Sequence, residues 1–464
     1  MLLPALPVEG MPLRKSRTTM HRYPFLFLVL LLPVVFHANP IRPLAQDYVA
    51  VGTSPDSLGK PFYTPSIIRL ESGRLLAAYE IGGDQRLENK PWAVISISDD
   101  GDLTWTVSGR TRITHGRLFQ SGDAIYYLGH SAKLLGSKPE DRSGDLRIIR
   151  STDNGQTWGQ AVNLTKDQMW HQSACNVWHA NGHVYLVMER RVSTHIEGWF
   201  VGELAPILMR APEGADLTRP GSWTYASELS FDSIIPGYKQ NDMPLSLMGI
   251  PFYKQNYPSY TEVAPDRYFS PMGWLEANVV QIMDPNHYWY DPTGHTFHLF
   301  MRANTGRTGY AALAKVVEHP DGTMTTRLET APTGEELLYL PFPGGQMRFH
   351  VLYDEQTRLY WLLGSQATDS MTRADRLPPD RYGTPDNERH RLVLHFSRNM
   401  VDWCFAGVVA IGPTYKQSRH YASMDIDGED LVILSRSGNS HAKSAHDGNM
   451  ITFHRVKNFR DLVY

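Results

Sequence analysis

The sequence predicts an all-β fold, and three observations lead to that prediction. Over no long stretch do apolar side chains recur at the spacing of a helix. Short runs rich in β-branched and aromatic residues alternate instead with turns rich in Gly, Asp and Asn. A unit of strand, tight turn and strand also returns six times. These features are typical of a chain built from repeated β-hairpins.

The six hairpin copies share one layout, in which a short polar turn separates two apolar strands. Their turns lie at 71–73, 121–123, 181–182, 291–294, 354–355 and 427–428. A single hairpin cannot bury both faces of its sheet, whereas sheets arranged in a ring bury them against their neighbours. Six copies over most of the chain therefore predict a six-bladed β-propeller. Two stacked β-sandwiches are the alternative.

Two segments are longer than a blade requires. Residues 230–271 are rich in Pro, Tyr and Met, and residues 368–387 are rich in Asp, Arg and Pro. Long connections in a β fold lie on the surface and often carry function. We expect both segments to form long loops over one face of the propeller.

The beginning of the sequence has the pattern of an export signal. Lys15, Arg17 and Arg22 precede an apolar run at 24–36, which is too short to span a bilayer. We therefore predict a targeting segment at 1–45, a single propeller domain at 46–464 and a secreted or periplasmic protein without stable membrane insertion. An uncleaved anchor is the alternative.

Composition excludes one class of partner and indicates no cofactor. The 45 Lys and Arg nearly balance 48 Asp and Glu, so binding to nucleic acid through phosphate neutralisation is not expected. Cys175 and Cys404 fit neither a metal-site spacing nor a disulfide framework. We interpret them as buried thiols, with a long-range disulfide as the alternative. His441 and His446, near Asp447, lie among Gly and Ser residues and indicate an ordinary loop rather than a metal site.

One local motif is specific. Residues 151–158 read S-T-D-N-G-Q-T-W and fit the pattern S-x-D-x-G-x-T-W. This is the Asp-box, a hairpin turn in which Asp accepts backbone hydrogen bonds, Gly takes a positive φ and Trp packs beneath. Degenerate copies occupy 98–105 and 397–403. We expect the motif to be structural and assign it no chemistry.

With this motif on repeated hairpins, the chain resembles the sialidase (neuraminidase) superfamily of Asp-box propellers. The resemblance implies a glycoside hydrolase with three arginines that bind a substrate carboxylate, a Tyr nucleophile beside a Glu, and an Asp acid/base. Tyrosine as a nucleophile is an exception among glycosidases. By resemblance, Tyr421 is the nucleophile, Glu276 its base, and Arg302 and Arg389 are substrate-binding arginines.

Two parts of the family pattern do not match. The first arginine lies in a Phe-Arg-Ile-Pro motif that corresponds here to residues 62–65, with Tyr63 in the place of the arginine. The acid/base region holds two carboxylates, and we take Asp84 as the candidate and Glu88 as its alternative. A sialic acid is therefore one possible substrate, and another acidic or neutral sugar is the other.

The hairpin entries lead to related residues independently of the family. The innermost strand of each propeller blade lines the central channel, so polar residues that open the hairpins converge on the axis. Those entries add His171 and Arg348 as candidate substrate-binding residues to Tyr63, Glu276 and Tyr421. A carboxylate beside a tyrosine and arginines is suited to proton transfer and nucleophilic attack on a sugar.

Three functions remain open from the sequence. The first is a retaining, sialidase-like exo-glycosidase that acts on a glycan without a cofactor. The second is a polysaccharide lyase in which His171 or Tyr421 removes the proton beside a uronate neutralised by Arg348 or Arg302. The third is a glycan-binding propeller without catalysis.

Overall fold

Six antiparallel sheets, each containing one of the predicted hairpins, form the described part of the chain in a computed structural model. The structure describes residues 42–464 except 56–58, 83–92, 132, 135–141, 173, 197, 236, 241–258, 306–308, 382 and 385. Blade 1 contains the strands Phe62–Arg69, Leu75–Ile81, Ala93–Ser98 and Thr106–Thr111. Blade 2 contains Thr114–Ser121, Ala124–His130, Leu146–Ser151 and Val162–Asn163. Blade 3 contains Trp170–His171, Trp178–Ala180, His183–Arg191, Leu204–Pro212 and Thr224–Tyr225.

Blades 4 and 5 follow the same order, and blade 6 takes its outermost strand from near the start of the described chain. Blade 4 contains the strands Gly273–Val280, Thr296–Asn304, Tyr310–Glu318, Met324–Arg327 and the additional Tyr339–Pro341. Blade 5 contains His350–Asp354, Leu359–Ser365, Arg391–Ser397 and Cys404–Ile411. Blade 6 contains Arg419–Asp427, Asp430–Ser437, Met450–Val456 and Val49–Thr53.

The remaining elements of the described chain are short. They are the ribbons Lys133–Leu134 with Arg142–Ser143, Thr261–Ala264 with Arg267–Phe269 and Glu329–Thr330 with Glu336–Leu337, the α-helix Phe231–Ile234, and the 3-10 turns Val201–Glu203, Pro220–Ser222, Ala374–Arg376 and Phe459–Leu462. No helix in the described ranges is both long enough and apolar enough to cross a membrane.

The blades close into a ring because both faces of each sheet are covered by neighbours. In the second strand of blade 1, Leu75 and Ala77 pack towards blade 6, whereas Leu76 and Ala78 pack towards blade 2. Successive side chains of a strand point to opposite faces, so this alternation buries both. Apolar clusters fill every junction between successive blades, including that between blades 6 and 1. The predicted six-bladed propeller is therefore confirmed.

Blade 3 departs from the predicted hairpin. The sequence predicts a strand over 174–178, but the innermost strand is split into Trp170–His171 and Trp178–Ala180. Between them the chain leaves the sheet and turns towards the neighbouring blades. The backbone N–H of Cys175 donates to the carbonyl of Ala277, and the Asn176 amide donates to the carbonyl of Val279. These bonds replace the pairing that the split removes.

The turn at 151–158 has the contacts expected from its motif. Asp153 accepts the backbone N–H of Thr157 at 2.9 Å and its hydroxyl at 2.5 Å. Gly155 has a φ of 79°, and its N–H donates to the hydroxyl of Ser151. In the copy at 98–105, Asp102 takes the glycine's position with a φ of 106°.

Ring closure involves both ends of the described chain. Val49–Thr53 pairs antiparallel with Met450–Val456 and completes blade 6. Leu44 and Ala45, within the predicted targeting segment, donate backbone hydrogen bonds to Val408 and Val409 of blade 5. The rest of that segment, 1–41, lies outside the described residues.

Candidate active site

The innermost strands of blades 1, 2, 4 and 6 share a bulge at the same position of the sheet. Pairing with the second strand is interrupted by two residues, and the first of them has a positive φ. These residues are Thr64, His115, Glu276 and Tyr421, with φ between 46° and 59°. Because this conformation costs a residue other than glycine about 1–3 kcal/mol, the surrounding sheet must hold it in place. A bulge re-aims its side chain, and here it does so repeatedly around the ring.

The bulges of blades 4 and 6 bring a carboxylate and a phenol into contact. The Tyr421 hydroxyl donates a hydrogen bond to Oε1 of Glu276. Nη1 of Arg302 donates to Oε2 of Glu276 at 3.2 Å and to the Tyr421 hydroxyl oxygen at 2.9 Å. Glu276 is fully buried, so its charge is balanced here rather than by water. Three of the candidates thus form one hydrogen-bonded group.

Burial, and next the charge of Glu276, raise the pKa of Tyr421 to about 12 against the opposing effect of Arg302 and Arg389. The phenol is therefore protonated at neutral pH, and its proton points to Glu276. A bonded carboxylate is the group that can take this proton when the phenol oxygen attacks.

Three more guanidinium groups surround the Tyr421 ring. The central carbons of Arg348, Arg389 and Arg436 lie 5.6, 5.7 and 5.4 Å from the ring centroid. All three side chains are buried. With Arg302, four cations therefore surround one phenol, while Glu276 is the carboxylate in direct contact with it.

Arg436 is one residue of this group that the sequence did not indicate. Its guanidinium carbon lies 4.2 Å from the ring centroid of Tyr63, the residue found where the family has its first arginine. A cation thus reaches this position from the second strand of blade 6 instead. The register of the hairpin could have identified Arg436, because it pairs with His420 in blade 6 as Arg302 pairs with Leu275 in blade 4.

The hydroxyl of Tyr63 is held by an acid that the sequence assigned to an ordinary loop. It donates to Oδ1 of Asp447 at 2.8 Å, and Nδ1 of His446 lies 2.8 Å from the same oxygen. The His446 bond, the nearby Tyr63 hydroxyl and the charge of Arg436 hold the pKa of Asp447 well below its usual range, against the effect of its burial. Asp447 is therefore an anion that orients Tyr63.

Arg389 and Arg348 are fixed by further contacts. Nε of Arg389 donates to the Asn387 side-chain oxygen at 2.8 Å, and its Nη1 lies 3.1 Å from Nδ1 of His420. Nη2 of Arg348 donates to the Ala174 carbonyl at 3.3 Å. Fixed arginines bind an anion without losing rotamer freedom at that moment.

The candidate His171 lies away from this group. The rings of His115 and His130 contact the ring of His171 on the side of blades 2 and 3. Asp84 and its alternative Glu88 fall outside the described residues.

Two buried carboxylates also escaped the sequence reasoning. Glu80 accepts the Thr114 hydroxyl and the backbone N–H of His115, both at 2.6 Å. Glu189 accepts the N–H of Ala277 at 3.0 Å. Burial raises the pKa of both groups. Glu80 pairs with Tyr63 and Glu189 with His171, the register position at which Arg302 pairs with Leu275.

The two long segments meet beside this site. Arg267 donates to the carbonyls of Arg381 and Pro378, which joins the described parts of 230–271 and 368–387. A pocket next to Arg302 is lined by residues of both segments; among them are Tyr268, Phe269, Thr384 and Asp386. The loops therefore border the mouth at which the arginines converge.

Comparisons with known proteins give fold similarity only. No family model and no curated protein matches the sequence. A Dyadobacter fermentans protein of unknown function is 12% identical, with 90% of this chain and 99% of that chain covered and a TM-score of 0.50.

Two enzymes are also similar in structure. Penicillium chrysogenum α-L-arabinanase is 11% identical, with 91% of this chain and 100% of that chain covered and a TM-score of 0.47. Trypanosoma rangeli sialidase is 13% identical, with 91% of this chain and 60% of that chain covered and a TM-score of 0.49.

The contact between Glu276 and Tyr421 predicts a measurable change in acidity. In Glu276→Gln the nearby negative charge is lost while the arginines remain, so the pKa of Tyr421 should fall below about 12. The difference in tyrosinate ultraviolet absorbance between Glu276→Gln and Glu276→Gln/Tyr421→Phe, followed against pH, isolates this one phenol. Glu355→Gln, at an exposed position, is the control and should leave it unchanged. An unchanged or higher pKa in Glu276→Gln would contradict the contact.

Proposed function

We propose that the protein is an exported exo-glycosidase that releases a terminal acidic sugar from a glycan with retention of configuration. The observation that carries the proposal is the contact of Tyr421 with Glu276 inside a group of arginines. Retention follows from a two-step reaction through a covalent intermediate, in which the phenol is the nucleophile.

In the first step the phenol oxygen of Tyr421 bonds to the anomeric carbon as the bond to the leaving oxygen breaks. The phenol proton passes to Glu276, which already accepts it. Arg302 donates to the same phenol oxygen and stabilises the negative charge that develops as the proton leaves. A neutral phenol is a poor nucleophile, so this pairing is what the reaction requires.

The leaving oxygen must receive a proton, and the second step must remove one from water. Asp84, or Glu88, remains the sequence-based candidate for both transfers, as one carboxyl group can act first as acid and then as base. Water then attacks the anomeric carbon, and the bond to Tyr421 breaks while its oxygen regains the proton.

The arginines support an acidic substrate. Arg302, Arg389 and Arg436 approach Tyr421 from separate blades, so their guanidinium groups can bind one carboxylate from several sides. The family pattern has three arginines, and Tyr63 stands in the place of the first. Arg436 stacks on Tyr63 and so provides a third cation beside Arg302 and Arg389.

Activity measurements test the nucleophile and its base. Purified protein is incubated with aryl glycosides of acidic sugars, sialosides and glucuronides among them, and of neutral sugars. Wild type should release aglycone from an acidic sugar. Tyr421→Phe should be reduced to background and Glu276→Gln by about 10²–10⁴-fold. Tyr288→Phe, at an exposed side chain, should behave as wild type.

The product identifies the reaction class in the same experiment. An unsaturated, ultraviolet-absorbing sugar from a uronate-containing polysaccharide would favour the lyase alternative. Glycan binding without turnover of any substrate would favour a binding module. Either result refutes the hydrolase proposal.

Arg436 should determine selectivity for charge. Arg436→Ala is expected to raise KM for an acidic aryl glycoside by about 10- to 100-fold, because a charge-assisted hydrogen bond to the carboxylate is lost. The neutral analogue should be affected far less. Arg376→Ala, at an exposed arginine, should change neither. Equal losses for both substrates would indicate that Arg436 only supports the fold.

Export is also a proposal, and it rests on the basic residues that precede the apolar run at 24–36. Cell fractionation of the native host and N-terminal sequencing of the recovered chain test it. Recovery from the cytoplasm with the run intact would refute export.

A further inference from the structure

Three histidines meet on the side of the channel formed by blades 2 and 3. His115 and His130 come from blade 2, and His171 comes from blade 3. One ring nitrogen from each lies within 4.8 Å of the other two, and Nδ1 of His115 is 2.9 Å from Nε2 of His130. His130 and His171 are buried and His115 is half-buried.

The backbone device that places Glu276 and Tyr421 also places this cluster. His115 is the bulge residue of blade 2, with a φ of 48°. His130 ends the second strand of that blade, and His171 pairs with Glu189 in blade 3. The cluster therefore occupies hairpin positions equivalent to those of the candidate catalytic group.

The surroundings fix the rings. Nδ1 of His130 lies 3.2 Å from the Ser131 carbonyl, which can only accept, so that nitrogen carries the proton and Nε2 presents its lone pair to His115. Glu80 binds the backbone N–H of His115. The ring of His171 packs edge-on against Phe200 at 4.9 Å. The contact of His130 with a carbonyl through its second ring nitrogen is the kind that orients histidines that bind metals.

We propose that His115, His130 and His171 form a binding site for one divalent transition-metal ion of the zinc class. Three imidazole nitrogens and an open fourth position are a common zinc arrangement. Tetrahedral coordination needs nitrogen atoms about 3.3 Å apart, so shifts of about 1 Å would close the group around an ion. The open position would take water or an oxygen of the glycan.

Charge supports an ion at this place. Neutral imidazoles leave the two positive charges of the metal uncompensated. Glu80, through the His115 backbone, and Glu189, opposite His171 in the sheet, are carboxylates buried next to the cluster. A cation nearby would offset the cost of burying them.

The site can be tested without any glycosidase activity. Full-length protein without an affinity tag is stripped with a chelator and titrated with ZnCl₂ by calorimetry, and with Co²⁺ by visible absorbance. Wild type should bind one ion per chain and give the visible bands of tetrahedral Co²⁺. His130→Gln and His115→Asn should weaken binding by at least about 100-fold. His319→Asn, at an exposed histidine outside the cluster, should bind as wild type.

His115→Asn guards against a folding artefact, because Asn tolerates a positive φ and the side chain of His115 is only half-buried. Circular dichroism and thermal melting of each apo variant establish that it is folded. Absence of a stoichiometric ion in wild type would overturn the proposal, and so would equal affinity in wild type and folded His115→Asn. The result is independent of whether any sugar is released.

Discussion

The whole molecule depends on the burial of both faces of each blade. A four-stranded sheet with apolar residues at successive positions, as in Leu75–Ile81, has no face that water can cover without a large free-energy cost. Packing between two neighbours buries both faces, and a closed ring extends this to every blade. The central channel follows from that closure, because the innermost strand of every blade then lines it. The polar side chains of these strands therefore lie close together.

Within this ring, one repeated bulge places the residues of the candidate site. A bulge at the same register turns a single side chain out of the sheet in several blades, and blades 4 and 6 use it for Glu276 and Tyr421. The ends of the second strands add the opposing charges, Arg302 and Arg436. In each of these two hairpins, the first strand therefore holds a residue with a strained backbone, and the second strand holds an arginine beside it.

The sequence allowed the fold to be predicted because the signal is repeated. Six hairpin copies with period-two apolar patterns predict the fold even when one copy is irregular. The split strand of blade 3 therefore did not change the number of blades. Glu276 and Tyr421 were also identified as candidates, since a family pattern and their place in the hairpins agreed, whereas Arg302 was identified from the family pattern alone. The structure brings the three side chains together.

The rest could not be predicted for a physical reason. The sequence pattern marks residues at the beginnings of the first strands, whereas Arg436, Glu80 and Glu189 lie near the ends of the second strands. Residues that far apart in sequence come together only through the register across the bulge. The histidine cluster has the same origin, because His115 and His130 belong to one blade and His171 to the next.

The shared composition of blade 6 has a consequence for biosynthesis. Tyr421 lies in a sheet made from Val49–Thr53 and from three strands between residues 419 and 456. When only the first five blades have been synthesised, Val49–Thr53 still lacks its partner strand. Neither the closed ring nor the group around Tyr421 can exist at that stage. Contacts of such long sequence separation form slowly. The group around Tyr421 can therefore form only after blade 6 has been synthesised.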